Sequence, residues 1–268
     1  MIKILILILS LAVVCSGSEI YDYLNWRLQL PSISEVGGNL QPFAICSESF
    51  SASLKSCKLY GIDDFSWNNI FLSYGLGSFG LAGEIGVYGI SNYFGMHDLY
   101  INDRYAVYLA AIPMQPLAVR IGYVYESEQF GDLDIYGSSS MNLSAAIKID
   151  RLYAAISIEN VMLEKPYESS KFNKIGFRSD CFYRIYDWTG ISGSLCKSNI
   201  GDYRWQFAQD VMITDFLGIV LGYAGNPNSL YWAAKIRYKY LEFELSNSNT
   251  AYLESSIIVT LSFRISTK

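Results

Sequence analysis

Histidine is nearly missing from this sequence: His97 is the only one in 268 residues. Zinc and other transition-metal sites draw on close clusters of imidazole and thiolate ligands. His97 lies far along the chain from Cys46, Cys57, Cys181 and Cys196, and no two of the five cysteines form a CxxC pair. Metal binding is therefore not expected, and nothing implies a cofactor. Charge is also scarce, at 17% of residues against roughly 25% in soluble domains. The net charge of −5 without any cluster of Lys and Arg excludes nucleic acid as a partner, because phosphate contacts need concentrated cations. Long apolar runs are absent after the first twenty residues, so no segment there reaches the ~18 apolar residues of a transmembrane helix. Mean hydropathy is nevertheless +0.19. The apolar residues must be dispersed rather than massed.

They are dispersed on alternate positions. "LAVRIGYVYE" sets Leu117, Val119, Ile121, Tyr123 and Tyr125 on one face and Arg120 and Glu126 on the other. "NLSAAIKI", "LYAAISIENV", "YRWQFAQDVMI" and "SIIVTLSFRI" repeat the pattern, which is that of half-buried strands. Short connections (Gly77-Ser78, Pro113 to Pro116, Asp150-Arg151, Asp187 to Thr189, Thr214 to Phe216, Tyr240-Leu241) alternate with longer polar ones such as "ESEQFGDLDIYGS" and "SNSNTAYLE". A soluble secreted β-sandwich shares the alternation but has no reason for this strict short–long order. A transmembrane antiparallel β-barrel does, with tight periplasmic turns on one rim and long outer loops on the other.

About thirteen strands of about ten residues follow Phe65, and even-numbered closure places one more in "SFSASLKSCKLY", for about 14 strands. Residues 1–18 read as a signal peptide: one Lys, an apolar core, then small residues up to Ser18. Val14 before Cys15 is branched, where a lipidation signal wants a small residue. Residues 19–48 do not alternate and are expected to form an irregular segment plugging the lumen, and 49–268 the outer-membrane barrel. No enzyme is expected. His97-Asp98 has no nucleophile or oxyanion site beside it, and Asp63-Asp64 and Asp132/Asp134 lack the spacing of a calcium loop. The glycines of "YGLGSFGLAGEIGVYG" lack the Lys-Ser or Lys-Thr of a phosphate loop.

Parity assigns Arg120, Glu126, Arg204, Asp210, Lys235, Arg237, Lys239, Glu242, Glu244 and Arg264 to the lumen, since Lys or Arg facing lipid costs up to ~2–4 kcal/mol at mid-membrane. Trp67, Trp188, Trp205 and Trp232 suit interfacial girdles. In "YWAAKIRYKYLEFEL" the charged parity flips, which a turn on Tyr240-Leu241 explains by opposing Arg237 to Glu244 and Lys239 to Glu242. A turn between Trp188 and Thr189 sets Cys181 opposite Cys196, as free thiols or a disulfide. Residues 255–265 are expected to pair with the first strand and close the sheet.

"LQLPSISEVGGN", "FGDLDIYGSSSMNLSAAIKIDRLYAAISIENV" and "VMITDFLGIVLGYAGNPNSLYWAAKIRYKYLEFELS" resemble the N-terminal, mid-barrel and penultimate segments of the PorV/PorQ-like outer-membrane proteins, relatives of the FadL long-chain fatty acid transporters. The resemblance departs at Ser56, Cys57 and Lys58, where that family carries Asn-Pro-Ala. It implies outer-membrane lipid as the surroundings and one of two roles. One is a channel or binding site for hydrophobic molecules, gated by residues 19–60; the other is docking to secretion-system or envelope-assembly proteins.

Overall fold

A computed structural model describes residues 42–58, 65–90, 100–129, 136–163, 176–197, 203–225, 228–250 and 253–266. Residues 1–18, expected as a signal peptide, residues 19–41 of the expected plug segment, His97-Asp98, Asp63-Asp64 and Asp132/Asp134 lie outside the described residues.

After a short helix, α1 (Pro42–Cys46), the chain forms β1 (Ser49–Lys58), β2 (Phe65–Gly75), β3 (Phe79–Ile90), β4 (Tyr100–Met114), β5 (Leu117–Gln129), β6 (Tyr136–Ile149) and β7 (Leu152–Met162). It continues through β8 (Gly176–Tyr186), β9 (Thr189–Lys197), β10 (Tyr203–Met212), β11 (Leu217–Gly225), β12 (Ser229–Tyr238), β13 (Leu241–Thr250) and β14 (Leu253–Ser266). Each strand pairs antiparallel with its neighbours in sequence, and β1 pairs with β14, giving a closed barrel of 14 strands. The seam runs unbroken from Ser49↔Ser266 to Lys58↔Ile257. Closure leaves no edge, so the backbone of every strand finds a partner, as a membrane interior demands.

The period of two sorts side chains between two faces. On β10, Arg204, Gln206, Ala208 and Asp210 are buried while Tyr203, Trp205 and Phe207 are exposed. On β14, Ser256, Ile258, Thr260 and Ser262 are buried against exposed Ile257, Val259, Leu261 and Ile265. The outside is thus an apolar band, suited to hydrocarbon. Trp205 and Trp232 belong to it, Trp67 is buried within, and Trp188 stacks on Tyr186 at the turn rim with centroids 5.7 Å apart. The tight turns use left-handed backbone at Gly77, Asp150 and Lys239.

Two hairpin registers differ from the sequence expectation. The β12–β13 turn falls on Lys239-Tyr240, one residue earlier than expected, so Arg237 opposes Glu242 and Lys235 opposes Glu244. Moving the turn by one residue slides the partners by two and leaves every side chain on its own face, so alternation is blind to it. Lys239, expected in the lumen, is instead an exposed turn residue with φ of 52° and its ammonium 5.4 Å from the Tyr238 ring centroid. The β8–β9 turn falls on Asp187-Trp188, and an irregularity between Arg184 and Tyr186 slips the ladder by an odd count. Cys181 consequently opposes Gly193, and Cys196 opposes Arg178. The two thiols are on opposite faces, and none of the four described cysteines is in a disulfide.

Helix α1 sits at the turn end. Pro42 begins it, where a missing N–H costs nothing. The Ser47 hydroxyl donates to Ala44 O at 2.8 Å, and Gly77 N–H donates to Cys46 O at 2.8 Å, so these two carbonyls at the helix end are satisfied. Ile45 and Cys46 are fully buried against Phe71, Tyr108 and Val124. Phe43 meets Tyr153 edge-on at 6.3 Å.

Candidate functional site: the barrel interior and an outer trough

Inward-pointing residues divide the interior into two sectors. From β2 to β8 lie two apolar clusters, Phe71, Ala82, Ala106, Tyr108, Ala110 and Val124 in one and Ala146, Tyr153, Ala155 and Phe182 in the other, set among buried Asn69, Glu84, Arg120, Asn142 and Arg178. Across β9 to β14 and β1 the wall is richer in hydroxyls, with Ser192, Ser194, Ser229, Ser246, Ser248, Ser256, Ser262, Ser51 and Ser53 all buried beside a smaller apolar cluster of Ala208, Val220, Tyr231 and Ala233.

Charges join the sectors along one row of cross-strand partners. Lys235, Glu244, Thr260, Lys55, Asn69, Gly86, Arg104 and Glu126 are successive cross-strand partners from β12 through β14 and β1 to β5. Lys235, only 4% exposed, bridges Asp210 at 3.6 Å and Glu244 at 3.5 Å. Arg237 bonds Glu242 at 3.1 Å. Arg104 is ion-paired with Glu126, and Glu84 accepts from Asn69 at 2.7 Å and from the Tyr108 hydroxyl at 2.8 Å. The Arg120 guanidinium lies 5.0 Å from the Tyr108 ring centroid, a cation–π distance. Arg204 is buried on β10 beside Cys196 of β9. Arg264 donates to Ser49 Oγ at 3.2 Å and also to Ser47, tying β14 to the end of α1. Buried charges need such partners, since an uncompensated one costs several kcal/mol.

Sequence reading overlooked Lys55, Glu84, Arg104 and the Arg178–Asp180 pair, which is bonded at 2.9 and 2.8 Å. The signal for the last was present, because Arg178, Asp180 and Phe182 share one parity within "GFRSDCFYRIY". Glu84 stands in a glycine-rich stretch whose inner parity reads Gly80, Ala82, Glu84, Gly86.

The outer surface is not uniformly convex. An apolar hollow of about 890 Å³ opens across β2 to β7. One row of cross-strand partners, Tyr74, Leu81, Leu109, Ile121, Leu143 and Ile158, forms its long side. The parallel row two residues nearer the turns reads Phe79, Ala111, Val119, Ala145 and Ile156. The two alanines leave a trough. Gly80, Ala110, Arg120 and Ser144, the row between, also line it; the side chains of the last three point inward.

No protein-family model and no curated protein sequence matches the chain. Solved structures match its fold. The toluene transporter TbuX of Ralstonia pickettii aligns with a TM-score of 0.58 at 10% identity, covering 89% of this chain and 99% of that one. A Pseudomonas aeruginosa FadL homologue gives 0.59 at 9% identity, covering 85% and 93%. The P. putida toluene transporter TodX gives 0.55 at 8% identity, covering 89% and 99%. At such identity the likeness is one of fold. The fold is that of outer-membrane barrels.

Proposed function

We propose that this outer-membrane barrel is a channel or binding site for hydrophobic small molecules, of the FadL type. The apolar sector running from Phe71 through Tyr108 and Val124 to Tyr153 and Phe182 carries the reading. A barrel passing only ions or sugars lines its lumen with polar groups and water. Here apolar inward clusters interrupt that polar lining on β2 to β8. Helix α1 lies on that sector at the turn end and acts as its stopper. The fold neighbours named as toluene transporters and as a FadL homologue fit this role. The docking role that the PorV/PorQ resemblance also implies has no observation among the described residues in its favour.

The test is uptake by cells making or lacking the protein. A labelled alkylbenzene should accumulate faster in the producing cells, and a labelled hexose should not. Equal alkylbenzene uptake with and without the protein, or hexose uptake that rises with it, would overturn the proposal.

A further inference from the structure

We infer that the trough on the outer wall is the seat of one phospholipid acyl chain. Its shape calls for an elongated occupant. The long side crosses six strands, five interstrand steps of ~4.8 Å, and so extends about 24 Å. The volume of about 890 Å³ is about six times that of the ~150 Å³ apolar cavity that holds a benzene. A single ring would rattle in it, whereas an extended chain would touch Leu109, Ile121 and Leu143 in turn.

Its position names the source. The trough opens outward, on the apolar face, where the hydrocarbon of the bilayer is the solvent. Leu76 and Phe79, at the β2–β3 turn, form one end, so the trough begins at the short-turn rim, the periplasmic side of such barrels. A lipid whose head rests at that rim can lay its chain along the row. Strand tilt of ~35–45° sets the row oblique to the membrane normal, so the chain runs up and across the wall. The trough exists because Ala111 and Ala145 stand where larger outward residues would close it. Among the described residues no charged side chain points into it, and Tyr74 brings the one hydroxyl from the outward rows, so recognition is of the chain and not the head.

The experiment uses the full-length protein in liposomes doped with a phosphatidylethanolamine carrying a photoreactive diazirine in its acyl chain, with adducts mapped by mass spectrometry. Adducts should be enriched about fivefold, the ratio that ~1 kcal/mol of preference gives, at Leu109, Ile121 and Leu143 over outward residues of the far wall such as Phe207 and Leu261. Ala111→Phe with Ala145→Phe fills the trough from the lipid side without entering the interior. It should abolish the enrichment while total labelling stays constant. Even labelling around the barrel, or enrichment that survives filling, would overturn the inference. So would displacement of the adduct by an added alkylbenzene, which would give the trough to a transported solute.

Discussion

At the residue scale, the ion pairs of the inner face are the most consequential side chains. Lys235 answers two carboxylates at once, from different strands. Lys235→Met should lower stability by ~3–5 kcal/mol, because buried Asp210 then loses this cation and half-buried Glu244 loses it too. Urea unfolding of the lipid-reconstituted barrel measures this. Arg237 is a third exposed, so its pair with Glu242 is worth less, ~0.2–1 kcal/mol. A double-mutant cycle should show coupling for Arg237 with Glu242 and none with Glu244; coupling to Glu244 would restore the register first read from the sequence. Cys46 behaves differently from these charges. Burial pushes its thiol up to about 11, so it stays neutral and unreactive to maleimide at pH 8 until the protein is unfolded. Relative to an ordinary thiol near 9.0, its contribution to stability is complete below pH 9 and is lost as pH rises through about 11.

At the element scale, α1 and the strands it touches depend on two absent side chains. A Cβ on Gly75 would collide with the Ser47 carbonyl, and one on Gly80 with the Ile45 carbonyl. Gly80→Val should therefore expel α1 while leaving the β2–β3 ladder paired. Cys46 then becomes labelled at pH 8, and alkylbenzene uptake rises if α1 is the stopper. The closing strands make a separate prediction. Leu54 and Leu261 are partners across the seam, both facing outward. Leu261→Arg should cost up to ~2–4 kcal/mol and reduce the fraction that migrates as folded barrel in unheated gel electrophoresis, whereas Leu261→Ile should not.

Strand existence, face and number were legible in the sequence because they depend only on a period of two, a strictly local property. Register was not. The Lys239-Tyr240 turn has no Gly or Asn to mark it, and the slip at Arg184/Tyr186 leaves no compositional trace. The charged belt was half legible: parity placed Arg237 and Glu244 on one face, but their partners follow from register. The trough was wholly hidden. Ala111 and Ala145 are 34 positions apart in the chain and share a row only through β5.

At the scale of the whole molecule, the barrel separates two tasks by sector. The hydroxyl-rich wall and the charged belt hold the shape by polar contacts, while the apolar clusters between β2 and β8 are where the proposed passage of apolar solutes would run. The same strands carry the trough outside, so both apolar surfaces share one sheet segment. The seam has a further consequence. β1 begins, and β14 ends, on the short-turn side, with Ser49 directly opposite Ser266. Topologically the barrel is a ring of fourteen equivalent staves, and the break in the chain is only one of many that the ring allows. A circular permutant that joins residue 266 to residue 42 by a short linker, and is opened instead between Lys239 and Tyr240, keeps every ladder and every partner in the belt. It should assemble into the same barrel, with its new ends at the rim where the β12–β13 turn had been.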